Sequence, residues 1–107
     1  MKNPRDPKQR QKAAKSLCRA LLALKSETEC QHFLDDLCTP AELEAMIDRW
    51  SVVPLLGDGL PYRQIHDLTG VSVTTIGRVA RFLTNGNGGY RVALERLQNE
   101  RRGSNDG

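Results

Sequence analysis

Apolar residues recur three or four positions apart along most of the chain, which is the period of a helix with one buried face. Four segments show this period clearly: Ala13, Leu17, Ala20, Leu21 and Leu24; Phe33, Leu34 and Leu37; Leu43, Met46, Ile47, Trp50 and Val53; and Tyr90, Ala93, Leu94 and Leu97. No segment shows the strict alternation of a half-buried strand. Together with two short helices over residues 61–83, the pattern predicts an all-α protein of about six helices.

Local signals mark where several of these helices begin and end. Ser26 followed by Glu29 fits a capping box, and the sequence TPAE at residues 39–42 combines a cap, a proline at the first helical position and an acid three residues after the cap. Pro54 has no backbone N–H, so we expect the third helix to kink or end early there. The glycine-rich run at residues 85–89 predicts a loop before the last helix, which would begin near Tyr90.

Residues 61–83, with the sequence PYRQIHDLTGVSVTTIGRVARFL, have the spacing of a helix-turn-helix. Gly70 is the turn residue, Ser72 suits the cap of the second helix, and His66 falls at or near the crossing of the two helices. Apolar residues lie where they would hold the helices together, at Ile65, Leu68, Val71, Ile76 and Val79. In such motifs the second helix lies in the DNA major groove, so residues 61–83 form a predicted reading head.

The side chains left facing outward on this reading head suit contact with DNA. On the second helix they are Ser72, Val73, Thr74, Gly77, Arg78 and Arg81, and on the first helix we add Tyr62 and Arg63. Short side chains let a helix approach base edges, while arginine can bond guanine in bidentate fashion or clamp phosphate. A purely structural pair of helices would show the same apolar spacing.

The organisation of the whole chain follows from the same pattern. We expect a flexible basic arm over residues 1–8, one helical domain over residues 9–99 and a disordered tail over residues 100–107. A chain of 107 residues is small, and it carries more apolar stripes than one unit of this size can cover. The excess predicts an intertwined homodimer, in which a second copy covers the remaining stripes.

Charge is strongly segregated along the chain although the net charge is only +3. Residues 1–25 carry eight Lys and Arg against one acid, residues 26–58 carry one against eight, and residues 59–107 carry seven against four. Basic segments on both sides of an acidic one suit a nucleic-acid partner. The Lys and Arg side chains from Lys2 to Lys15 would add salt-sensitive affinity for phosphates.

Other classes of function are not indicated by the sequence. Cys18, Cys30 and Cys38 form no Cys-x-x-Cys pair, so we expect neither a disulfide framework nor a metal site. The sequence has no paired carboxylates, nucleophile–base pair or phosphate loop, so we expect no enzyme and no required cofactor. Its apolar runs are shorter than the ~20 residues of a membrane span. We therefore expect a cytoplasmic, nucleoid-associated protein.

Two stretches, LCTPAELEAMIDRWSVV and GLPYRQIHDLTGVSVTTIGRV, resemble the tryptophan repressor family. The following stretch, FLTNGNGGYRVALERL, is similar to the YerC/YecD-type Trp repressor-related proteins. The resemblance extends over roughly residues 15–98, and its most specific parts are the TPAE helix start, Arg49 and the TTIGR sequence of the reading helix. It implies an all-helical, interlocked homodimer with two reading heads.

The resemblance also implies an effector pocket between the reading head and the central helices. The two arginine positions of that pocket fall on Arg49 and Arg78, and threonines fall on Thr39 and Thr75. A glycine position of the family is occupied by Val79, whose side chain would take the space of an indole. Three further positions also differ from the repressor, at Asp36, Cys38 and Phe82. We therefore expect a small-molecule effector other than tryptophan, or none.

The sequence as a whole predicts a sequence-specific DNA-binding transcriptional regulator, a repressor, that acts as a homodimer. One alternative stays open at this point. The chain could be a helical dimeric protein-interaction module without specific DNA binding, with the acidic residues 27–48 as its working surface.

Overall fold

A computed structural model of the chain describes the backbone of residues 6–105 and the side chains of residues 6–102. It has six α-helices and no strand within that range: α1 (Pro7–Ala23), α2 (Glu27–Leu37), α3 (Pro40–Gly57), α4 (Tyr62–Thr69), α5 (Val73–Asn85) and α6 (Gly89–Asn105). The all-α fold and the helix-turn-helix are therefore confirmed. The chain divides into two compact units, of which the first ends at Pro40 and the second begins at Ala41. One domain over residues 9–99 stays a prediction.

Helix α1 begins at Pro7, inside the segment predicted to be a flexible arm. The carboxylate of Asp6 accepts a hydrogen bond from the Gln9 N–H at 2.8 Å, and the Gln9 side chain accepts one from the Asp6 N–H at 3.2 Å. This reciprocal capping box, with proline at the first helical position, starts the helix earlier than predicted. The arm prediction is wrong for residues 7 and 8, and residues 1–5 lie outside the described residues.

Neither helix of the first unit buries a single residue within that unit. Helix α1 leaves Leu17, Leu21 and Leu22 exposed, and α2 leaves Leu37 exposed. The apolar stripes therefore form on helices as the sequence predicts, but the unit does not supply the surface that would cover them. Exposed large apolar side chains on the same helix face, such as Leu17 and Leu21, are typical of an interaction site.

The second unit has its own core. Six apolar side chains are almost completely buried in it, namely Val52, Val53, Ile65, Val71, Ile76 and Val79. Trp50 packs against this cluster from the side, and its ring lies 6.4 Å from that of Tyr90, centroid to centroid, with a tilt of 40°. Offset or tilted aromatic pairs at this distance contribute beyond their buried area, so the contact helps to hold α6 against α3.

Two helix ends differ from the sequence predictions. Helix α3 continues through Pro54 to Gly57, so an early end at Pro54 is wrong. Burial of Val52 and Val53 offsets the backbone hydrogen bond that the proline removes. Helix α6 continues to Asn105, so the predicted disorder of residues 100–105 is wrong as well. Glu and Arg in this segment favour helix, and Arg102 in the last turn complements the helix dipole. Residues 106 and 107 lie outside the described residues.

Candidate nucleic-acid interface

The turn of the helix-turn-helix is built around Gly70, whose φ of 76° is left-handed. Its N–H donates to the His66 carbonyl at 2.8 Å and so ends α4. The Thr69 hydroxyl donates to the Ile65 carbonyl at 2.7 Å and accepts from the Val71 N–H at 3.1 Å. These bonds pair the polar groups of the turn with one another and so favour one geometry for it.

His66 bridges the turn in a way that the sequence does not reveal. Its Nδ1 atom lies 2.8 Å from the carbonyl oxygen of Val71. A carbonyl oxygen can only accept, so Nδ1 carries the proton in this contact. The prediction placed His66 at the helix crossing. The structure shows an exposed imidazole that ties the last turn of α4 to the residue before the cap of α5.

Helix α5 starts as predicted, with Ser72 as its cap. The Ser72 hydroxyl accepts from the Thr75 N–H at 3.1 Å and donates to the Thr75 hydroxyl at 3.0 Å. The N–H and the hydroxyl oxygen of Thr75 therefore both take part in starting the helix. The family resemblance placed Thr75 in an effector pocket, whereas this contact gives it a role at the start of α5.

Four of the five apolar positions predicted to join the two helices are buried as expected. Ile65, Val71, Ile76 and Val79 are at most 5% exposed, whereas Leu68 is 63% exposed, so the prediction for Leu68 is wrong. Helix α4 has only two turns, and Ile65 is its one buried residue. Leu68 follows on the part of the last turn that no neighbour in the second unit covers.

The predicted DNA-contacting side chains lie on the surface of the second unit. Seven of the eight are exposed, namely Tyr62, Arg63, Ser72, Val73, Thr74, Arg78 and Arg81. Gly77 is partly covered, and a Cβ built there would lie 3.9 Å from the Tyr62 ring. Tyr62 on α4 and Gly77 on α5 are therefore neighbours, so residues from both helices contribute to one continuous outward face.

A cavity of about 500 Å³ lies beside this face, within the second unit. Its lining residues come from α3, from α5 and from the glycine loop with the start of α6: Arg49; Arg78, Val79 and Phe82; and Gly86, Asn87, Gly89 and Tyr90. The Arg78 guanidinium carbon lies 5.2 Å from the centroid of the Phe82 ring, a cation–π distance. Two guanidinium groups without a carboxylate among the lining residues make this cavity suitable for a small anion.

The cavity brings together only part of the predicted effector pocket. Arg49, Arg78 and Val79 line it, whereas Thr75 is not a lining residue and Thr39 belongs to the first unit. Asn87 and Tyr90 are lining residues that sequence reasoning missed. Their signal in the sequence is the glycine-rich run at residues 85–89, which predicts a loop but does not show that this loop and Tyr90 border a cavity. Such a loop between two amphipathic helices lets the chain turn back over the first of them.

Neither a metal site nor a membrane span is found in the described part of the chain. Among residues 6–102, His, Cys, Asp and Glu side chains form no group of three or more that could hold a metal ion. The described helices include none that is both long enough and apolar enough to cross a membrane.

Comparisons with known proteins extend these observations. Residues 12–98 match the family described as Trp repressor protein. The chain is 41% identical over 91 residues to the uncharacterized protein YerC of Bacillus subtilis (strain 168), covering 85% of this chain and 88% of the relative.

Two solved structures share the fold. A TrpR-like protein from Eubacterium eligens ATCC 27750 is 38% identical with a TM-score of 0.77, and the match covers 81% of this chain and 90% of that one. A protein from Staphylococcus aureus, provisionally described as a Trp repressor, is 35% identical with a TM-score of 0.79 over 90% and 96% of the two chains.

Proposed function

The chain belongs to the Trp repressor protein family, and on this premise we propose that it is a sequence-specific DNA-binding transcriptional regulator that acts as a repressor. One observation carries the proposal. The outward face of α5 exposes Ser72, Val73, Thr74 and Arg81 on a helix whose opposite face is locked to α4 by buried aliphatic residues. A rigid helix with short residues at its start and arginine further along suits insertion into a major groove.

We further propose that the active form is a homodimer, in which a second copy covers the apolar faces of α1 and α2. Support comes from the first unit, since neither of its helices buries a residue within that unit. A two-fold dimer would present two copies of α5, which would contact half-sites about one helical turn, ~34 Å, apart.

The test is a selection of binding sites from a random duplex library, followed by fluorescence anisotropy on the recovered duplex. We expect a two-fold symmetric site that outcompetes bulk DNA by ~10³ or more. Half-site spacing in the recovered sequence measures the separation of the two reading heads. Failure to bind any duplex above background at physiological salt would contradict the proposal and favour the protein-interaction alternative.

Replacing Arg81 with alanine tests the reading face directly. Arg81 is exposed on α5, and we expect the Arg81→Ala change to weaken binding to the selected site by about 1–3 kcal/mol with relaxed specificity at one position. Arg96→Ala on α6 is the matched control, because it removes an exposed arginine outside the reading head. Equal affinities of the two variants for the selected site would remove Arg81 from the DNA contacts.

We also propose that tryptophan is not an effector of this protein. Val79 lines the cavity where the family places a glycine, and its isopropyl group occupies space that an indole would need. Adding L-tryptophan to the DNA-binding assay should therefore leave the affinity unchanged, and calorimetry should detect no binding to the free protein. A tryptophan-dependent gain in affinity would show that the cavity adapts around Val79.

A further inference from the structure

We propose that one face of α1 is a second nucleic-acid contact surface, which binds the phosphate backbone of duplex DNA. The surface consists of Lys8, Lys12, Lys15 and Arg19, here called the basic stripe. The proposal rests on the proposed function, because it assigns a further surface for the same DNA partner. Its carrying observation is that α1 is helical from Pro7, which turns a run of basic residues into an ordered row.

The basic stripe follows from the helical spacing of its members. Successive members are four, three and four residues apart, so at 3.6 residues per turn they fall within about 60° of the helix circumference. The row spans eleven residues, or ~16 Å at 1.5 Å per residue, which is long enough for several consecutive phosphates. All four side chains are exposed. The apolar residues Leu17 and Leu21 lie on the opposite side of the helix, so covering them would leave the stripe open.

Helix α1 carries positive charges without acidic residues to balance them, which disfavours the helix in isolation. Helix α1 contains no Asp or Glu, and only its cap, Asp6, is acidic. Like charges at positions i and i+4, as in Lys8 and Lys12, destabilise a helix by a few tenths of a kcal/mol per pair. Helix α6 shows the contrast, since its arginines alternate with Glu95 and Glu100. A polyanion neutralises the repulsion in α1, and phosphate is the anion that DNA presents in a row.

A duplex is a better partner for the stripe than an anionic membrane surface. Membrane-binding helices place large apolar side chains beside the basic ones, so that these enter the lipid while the cations meet the headgroups. Leu22, which is 84% exposed, is the one large apolar side chain of α1 that lies beside the basic stripe. The other large apolar residues of α1 lie on the far side. The same chain also carries a reading head, so the proposed function already supplies a duplex whose phosphates a basic surface can contact.

The experiment measures how binding depends on salt, using the full-length protein with both the selected duplex and a random duplex. The stripe variant carries four changes: Lys8→Gln, Lys12→Gln, Lys15→Gln and Arg19→Gln. The matched control removes the same number of charges away from the stripe, by Arg10→Gln, Lys25→Gln, Arg96→Gln and Arg101→Gln. Circular dichroism confirms that both variants fold. The slope of log K against log salt falls by ~0.9 for each phosphate that the protein no longer neutralises, so we expect the slope of the stripe variant to be smaller by up to ~3–4.

The outcomes separate the stripe from the proposed function. The stripe is supported if the salt slope of the stripe variant is reduced on both duplexes while the slope of the control stays close to that of the unaltered protein. This holds even if no specific site is recovered. Equal slopes for the two variants overturn the stripe while leaving a specific site, if recovered, intact. A phosphatidylserine vesicle that binds the unaltered protein but not the stripe variant, with DNA slopes unchanged, would assign the surface to membranes and overturn the proposal.

Discussion

Replacing Ile76 with alanine is expected to lower the free energy of unfolding by about 2–5 kcal/mol. Ile76 is 0% exposed and lies in α5 among the buried aliphatic residues of the second unit. Alanine would leave a cavity between α5 and its neighbours, and the tightly hydrogen-bonded turn before α5 limits how far the helix can move to fill it. For a domain this small, such a loss is a large share of the total stability.

Urea unfolding at a fixed protein concentration measures this effect, since the midpoint of the proposed dimer would depend on concentration. Trp50 is the only tryptophan and packs against the core, so its fluorescence reports unfolding of the second unit. Val73→Ala is the matched control, because Val73 lies on the same helix but is 52% exposed. We expect the control to change stability by less than about 1 kcal/mol. Equal losses for the two variants would contradict the assignment of Ile76 to the core.

Replacing Gly70 with valine is expected to reduce both stability and specific DNA affinity. Gly70 has a φ of 76°, and nothing lies within 4 Å of a Cβ built there, so the penalty comes from the backbone and not from crowding. A β-branched residue in this region is strained by roughly 1–3 kcal/mol. Any relaxation that relieves the strain turns α5 relative to α4, which misplaces the reading face and adds a second loss in binding to the selected site.

Unfolding and anisotropy measurements on the same preparations separate the two losses. Gly89→Ala is the control, because a Cβ at Gly89 also meets nothing within 4 Å and its φ is outside the left-handed range. Gly70→Asn should be milder than Gly70→Val, since asparagine tolerates the left-handed region. If valine and asparagine at this position behave alike, strain at the turn is not what positions α5.

Much of the helical layout could be predicted because the signals for it are local. The cap of Ser26 on the Glu29 N–H, the start of α3 at Pro40, the turn at Gly70 and the cap at Ser72 each depend on a few neighbouring residues. The start of α1 was missed although its signal is equally local. Asp6 and Gln9 form a capping box around Pro7, inside the segment that the sequence analysis expects to be an arm.

The candidate site could be predicted only in part. Its outward face on α5 follows from helical periodicity, which is why the residues expected to face outward on that helix are exposed except for the half-buried Gly77. The prediction that Leu68 is buried was wrong, because periodicity cannot tell whether a neighbour covers the last turn of a two-turn helix. The bond from His66 to the Val71 carbonyl joins residues on either side of the turn, and only the turn geometry brings them within 2.8 Å.

The sequence by itself therefore determined the helices and the helix-turn-helix, because their signals lie within a few helical turns. It also determined the charge segregation, which is read directly from the order of the residues. The family resemblance already implied one pocket for Arg49 and Arg78, and the tertiary structure alone decided which other residues line this anion-suited cavity. That cavity joins Arg49 of α3 to Arg78 of α5 and Asn87 of the glycine loop. Their meeting depends on how α3, α5 and α6 pack around the buried aliphatic core, and packing between distant segments leaves no periodic signal in a single chain.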